Sequence, residues 1–117
     1  MRYLLVFVFL FVGCNSSTVL EVDLYGHMVD YEFIENAGSD TLIVDVRTKE
    51  EFEAGSIEGA IWIPFDVIEN HTDLLEGYEN IILYCRTNNR AGEAYEKLRE
   101  DFNVYVFRTG YEACSKC

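Results

Sequence analysis

Four short aliphatic or β-branched runs interleave with stretches of helical spacing, and this alternation constrains the fold more than any other feature of the 117-residue chain. The runs are Thr41 to Val46, Ile61 to Ile63 before Pro64, Ile81 to Tyr84, and Val104 to Phe107. Each is short and almost wholly apolar, the composition of a strand covered on both faces. Between them, Asp30 to Ala37 reads as a helix with Gly38 as its stop. Thr48-Lys49-Glu50-Glu51 has capping-box spacing, which predicts a short helix through Ala54 ended by Gly55. Asp66 to Leu75 reads as a polar-apolar helix, and Ala91 to Phe102 as another, with Tyr95, Leu98 and Phe102 at spacings of three and four. Strands alternating with helices predict an α/β fold of three layers, a mostly parallel central sheet with helices on both faces. Ligands of such sheets bind at the carboxyl ends of the strands.

A chain this long, half hydrophobic and 26% charged with one proline, makes a single domain. It buries roughly 60–70% of its unfolded surface, so its core needs no metal or disulfide staple. Disordered, collagenous and multi-domain readings are excluded. The formal charge of -12, from 9 basic and 21 acidic residues, argues against a nucleic-acid partner, which would require a basic stripe.

The N-terminus predicts export. Arg2 precedes an unbroken apolar run from Tyr3 to Val12, then Gly13-Cys14 and the polar stretch Asn15 to Thr18. A membrane-spanning helix needs about 20 apolar residues, and this run has half of that. Phe11-Val12-Gly13-Cys14 resembles a bacterial lipobox, which implies acylation of Cys14 after cleavage before it. The alternatives are an ordinary secretory signal with a bystander cysteine or an uncleaved anchor. The expected organisation is a lipoprotein signal peptide over residues 1–13, a lipidated N-terminus and polar tether over 14–24, and one domain over 25–117. The lipid on Cys14 would hold the protein to the membrane of the cell envelope, facing the periplasm or exterior. Asn15 after the cysteine resembles lipoproteins sorted to the outer membrane, where the cell has one.

Chemistry concentrates at one strand end. The run Ile81 to Tyr84 leads directly into Cys85-Arg86-Thr87-Asn88-Asn89-Arg90 and then into a helix. A helix N-terminus and a loop of backbone N–H groups favour an anion, hence thiolate over thiol, and the thiolate is the nucleophile. Arg47, Arg86, Arg90 and Arg108 all fall at or just past predicted strand ends, which in so acidic a chain points to an anionic substrate. For Arg47 the preferred reading is instead a structural ion pair with Glu50 or Glu51.

These residues carry a family resemblance. Asp45-Val46-Arg47 followed by Glu51-Phe52, Gly55 to Ala60, Ile63-Pro64, the loop Cys85 to Arg90, and Gly110-Tyr111-Glu112-Ala113 are five blocks in the order of a single rhodanese domain, which the chain resembles from about Leu42 to Ala113. The resemblance implies a sulfurtransferase in which Cys85 takes sulfane sulfur from a small anionic donor such as thiosulfate, holds it as a persulfide, and passes it to a thiol or cyanide. Arg86, Thr87, Asn88, Asn89 and Arg90 would form the substrate-binding loop, with Asp45 and Arg47 in support. No cofactor or metal is implied. Four residues separate Cys85 from Arg90, whereas related phosphatases of the Cdc25 type have one more, so the loop fits sulfur rather than phosphate. The chain departs from the family pattern at three places: Ser56 stands for a usual histidine, Asn88 for a usual glycine, and Cys114 for a common tryptophan. At Asn88, asparagine's tolerance of left-handed backbone angles is expected to preserve the loop.

Cys114 and Cys117 form a C-x-x-C pair in a protein placed outside the cytosol. A structural disulfide is the preferred reading, with redox partnership to Cys85 second; a zinc half-site lacks further ligands. His27 and His71 have no partner at ligand spacing. The expected protein is a monomeric, membrane-anchored sulfurtransferase. A rhodanese-like module that binds without catalysis and a thiol-disulfide redox protein using Cys85 with Cys114 or Cys117 are the rivals.

Overall fold

The computed structural model describes residues 26–117. The expected signal peptide, Cys14 and the tether to residue 24 lie outside the described residues. Five strands form the sheet: β1 (Met28–Val29), β2 (Thr41–Asp45), β3 (Ile61–Trp62), β4 (Asn80–Tyr84) and β5 (Val104–Phe107). Among the described residues three α-helices accompany them: α1 (Tyr31–Glu35), α2 (Lys49–Ala54) and α3 (Asn89–Leu98). The sheet order is β1-β5-β4-β2-β3, and every neighbouring pair is parallel. This is the expected α/β architecture.

Side chains of β4 show why its run is apolar throughout. Ile81, Ile82, Leu83 and Tyr84 are each fully buried, because successive residues face opposite layers. Ile81, Leu83 and the following Cys85 join Val44, Val46, Val104 and Val106 in one core cluster, against Ala91, Ala94, Tyr95 and Leu98 of α3. Those four α3 residues recur at i, i+3, i+4 and i+7, the stripe of a helix with one buried face. Ile82 and Tyr84 join Phe107, Ile34 of α1 and Ile57 in a second cluster on the other layer, with Tyr111 and Cys114 packed against it.

Three elements differ from expectation. β1 was not predicted; it is a two-residue edge strand, too short for periodicity to reveal, and pairs Met28 with Val106 and Val29 with Phe107. The helix expected over Asp66 to Leu75 is two 3-10 turns, Ile68–Asn70 and Thr72–Leu74. Asn70, His71 and Thr72 favour caps and turns over helix interiors, and Ile68 and Leu75 alone in the segment are fully buried. Helix α3 starts two residues before Ala91 and ends at Leu98, with single turns carrying the chain on to Phe102.

Connectivity fixes where a ligand would sit. From β2 the chain moves outward to β3, whereas from β4 it moves the opposite way to β5, so the strand order reverses between β2 and β4. A crevice opens at the carboxyl ends of strands at such a reversal. Asp45 and Tyr84, partners in register, end those two strands, and the chain continues from them into Val46-Arg47 and Cys85-Arg86.

Candidate active site

Cys85 is 1% exposed and free of any disulfide. Its Sγ accepts a hydrogen bond from the Ala91 backbone N–H at 3.3 Å. Ala91 lies in the first turn of α3, where amides have no partner within the helix and an N-cap side chain ordinarily accepts. The N-cap residue Asn88 makes no such bond; its Nδ2 donates to the Arg108 carbonyl at 3.1 Å instead. The sulfur therefore occupies the place of the cap, at the positive end of the helix dipole. Among the described residues, the backbone amides from Arg86 to Arg90 have no hydrogen-bond acceptor. A second sulfur atom on Cys85 would find donors there.

Asn88 keeps the loop in a way the sequence did not indicate. Its φ is -154°, and no described residue other than glycine has positive φ, so left-handed tolerance is not its contribution. Its side-chain amide instead ties the loop to the end of β5. The loop is held from beneath by Gly110-Tyr111-Glu112: Tyr111 N–H donates to the Cys85 carbonyl at 2.8 Å and Glu112 N–H to the Arg86 carbonyl at 2.9 Å. Gly110 has φ +75°, and a Cβ there would sit 1.8 Å from the Thr87 carbonyl oxygen. Only glycine permits this approach.

Arg47 is 5% exposed and bonded to Asp45, not to Glu50 or Glu51. Its Nε reaches Asp45 Oδ1 at 2.9 Å, its second terminal nitrogen reaches Oδ2 at 2.7 Å, and the same nitrogen donates to the Gly55 carbonyl. Burial works against this charge, but the hydrogen bonds and charge of Asp45 outweigh it and raise the guanidinium pKa. The guanidinium lies 4.4 Å from the Tyr111 ring centroid and 5.5 Å from that of Tyr84. The Tyr84 hydroxyl accepts the Ile57 N–H at 2.9 Å, and burial pushes its phenol pKa up. Trp62 Nε1 donates to the Arg47 carbonyl at 2.8 Å. Arg47 thus holds the two strand-end loops together through Tyr111, a supporting role.

Glu51 goes to Arg90 instead, across 39 residues, with Nη1 to Oε1 at 2.9 Å and Nη2 to Oε2 at 3.3 Å. The Arg90 hydrogen bond holds the Glu51 carboxyl well below the usual range, at about 2. Glu51 also completes the capping box with Thr48, as the spacing predicted. Arg86 pairs with Glu112 at 3.3 Å and Arg108 with Asp30 at 2.9 Å. All four strand-end arginines therefore face carboxylates of the chain itself, which the anionic-substrate reading of Arg86, Arg90 and Arg108 did not foresee. Beside Arg86 a cleft of about 270 Å³ opens between Arg47, Glu51, Gly55, Tyr111 and Glu112. Glu112 and Tyr111 were visible only as part of a motif block, since nothing local in the sequence assigns them partners.

Cys114 and Cys117 are joined as a disulfide. Cys114 packs with the second core cluster, whereas Cys85 belongs to the first, across the sheet. The described residues hold no cluster of three or more His, Cys, Asp or Glu arranged for a metal.

With this geometry in view, similarity to known proteins is informative. An uncharacterized protein of Bacillus subtilis, YqhL, is 31% identical over 60% of this chain and 57% of its own length. An adenylyltransferase and sulfurtransferase of Meyerozyma guilliermondii is 34% identical over 59% of this chain, which spans only 18% of that protein. The crystal structure of SSP1007 from Staphylococcus saprophyticus superimposes with a TM-score of 0.64 at 26% identity, covering 72% of this chain and 88% of the other. The rhodanese-like domain model matches residues 31–117, nearly all of the described chain, and on that match the protein belongs to the rhodanese-like domain family.

Proposed function

We propose that the protein is a sulfurtransferase that moves sulfane sulfur from a donor such as thiosulfate to cyanide or a thiol through a persulfide on Cys85. The observation that carries this reading is a cysteine sulfur standing in for the N-cap of α3 at the sheet's reversal point, with unpartnered amides beside it. In the first step the Cys85 thiolate attacks the outer sulfur of thiosulfate. The Sγ–S bond forms as the donor's S–S bond breaks, and sulfite leaves with the electron pair. In the second step cyanide attacks the outer sulfur, thiocyanate departs, and Cys85 returns as thiolate. Splitting one transfer into two in this way is nucleophilic catalysis. The loop amides and the N-terminus of α3 are suited to the charge on the persulfide. The sulfurtransferase relative lends support at the level of the domain.

The test is thiocyanate formation from thiosulfate and cyanide. Cys85→Ser is expected to abolish it, and the pair Cys114→Ser with Cys117→Ser to leave much of it. Retained turnover in Cys85→Ser refutes the nucleophile.

For location, we propose a lipid anchor on Cys14 in the cell envelope, from the apolar run and the lipobox-like Phe11 to Cys14. Incorporation of labelled fatty acid that is lost in Cys14→Ala is the expected result; labelling that persists in Cys14→Ala rejects it.

A further inference from the structure

The surroundings of the Cys85 loop are charge-compensated. Two arginines and two glutamates, Arg47, Arg86, Glu51 and Glu112, line the cleft beside the loop. Adding the partners Asp45 and Arg90 leaves three positive groups facing three negative ones. The two loop arginines are bonded to Glu112 and Glu51 before any substrate arrives, and the whole chain carries -12. A dianion such as thiosulfate must compete with both carboxylates and approach against the field of the protein. The cleft also has an uncharged side, made by Ala54, Gly55 and the Tyr111 ring, with room for an organic group rather than a sulfonate alone.

Resting on the sulfurtransferase reading, we infer that the site selects an organic persulfide, R–S–SH, whose group R is uncharged or cationic, over thiosulfate, and that Glu112 and Glu51 set this preference. The Cys85 thiolate attacks the terminal sulfur of R–S–SH. The new Sγ–S bond forms as the R–S–SH sulfur-sulfur bond breaks; R–S⁻ leaves with the electron pair, and the proton stays on the transferred sulfur. No external oxidant or reductant enters. Glu112 is the residue to change. It is 59% exposed at its side chain, its backbone N–H holds the loop whatever the side chain, and glutamine removes its charge while releasing Arg86.

The experiment measures the rate of single-turnover sulfur loading of Cys85 from thiosulfate and from three persulfides whose organic groups run from anionic through uncharged to cationic, those of N-acetylcysteine, N-acetylcysteine amide and cysteamine. In the native protein the rate is expected to rise along that series. In Glu112→Gln the ratio of the thiosulfate rate to the N-acetylcysteine amide persulfide rate should increase by about 3–10-fold at low ionic strength, and the gain should shrink in high salt. Thiosulfate loading as fast as N-acetylcysteine amide persulfide, with a ratio unmoved by Glu112→Gln, overturns this inference and leaves sulfur transfer standing. Loading by none of the four overturns both.

Discussion

Gly110→Ala offers a stringent test of how the site is built, because a positive φ occurs elsewhere without the crowding. At Gly110, φ is +75° and an added Cβ falls 1.8 Å from the Thr87 carbonyl oxygen and 2.6 Å from that of Arg86. At Gly77, φ is +93° and an added Cβ meets nothing within 4 Å. Gly77→Ala therefore isolates the left-handed penalty, roughly 1–2 kcal/mol. Gly110→Ala adds to it. Ordinary contact begins at 3.4 Å, so the Thr87 carbonyl must retreat by about 1.6 Å. A retreat of that size breaks the bonds from Tyr111 and Glu112 to the Cys85 and Arg86 carbonyls, each worth about 1 kcal/mol net. The expected loss for Gly110→Ala is about 3–4 kcal/mol, roughly 15–25 °C in a domain of this size. Gly77→Ala should lose at most about half as much, roughly 1–2 kcal/mol. Urea unfolding followed by Trp62 fluorescence gives the stabilities, and the rate at which a thiol reagent modifies the buried Cys85 reports on the loop. Equal losses in the two variants, with Cys85 equally protected in both, would refute the buttress argument.

Other consequences are sharp enough to measure. Glu51→Gln retains the capping-box geometry and removes the charge facing Arg90, so it should cost about 1 kcal/mol at pH 7. Because Arg90 holds the Glu51 carboxyl at about 2, below its unfolded value, the stability it adds is complete above the ordinary carboxylate range and is lost as pH falls toward 2. The urea midpoints of native protein and Glu51→Gln should therefore converge on acidification; a constant gap would contradict the pairing. Tyr84→Phe leaves the buried Ile57 N–H without its acceptor and should destabilise by roughly 1–3 kcal/mol in the same assay, against no change if the bond is absent. The Cys114–Cys117 bridge closes a very short loop, so replacing both by serine should cost about 2 kcal/mol or less, with thiosulfate:cyanide turnover largely kept.

The parts of the fold written locally were legible in the sequence, and the parts written across the chain were not. β2, β4 and β5 stood out because strands buried on both faces demand unbroken apolar runs, and the Thr48 cap because its partner lies three residues on. Cys85 and its loop were found from the junction of a strand and a helix together with the family resemblance. The pairing of charges escaped that reading. Arg90 meets Glu51 across 39 residues and Arg108 meets Asp30 across 78, distances at which spacing carries no information. Arg47 was assigned to glutamates in the following helix, yet Asp45, two residues before it, has the closer approach because both side chains are buried at the reversal of the sheet. The consequence reaches function: Arg86, Arg90 and Arg108, which read as an anion site in the sequence, are compensated in the fold.

The central claim is a sulfur atom carried on Cys85, and intact-protein mass tests it most directly. With thiols reduced and reductant removed, incubation with a sulfane-sulfur donor should add the mass of one sulfur atom; cyanide should remove it, and Cys85→Ser should never acquire it. A folded protein with a free Cys85 thiol that gains no mass from thiosulfate or from any organic persulfide would contradict the account.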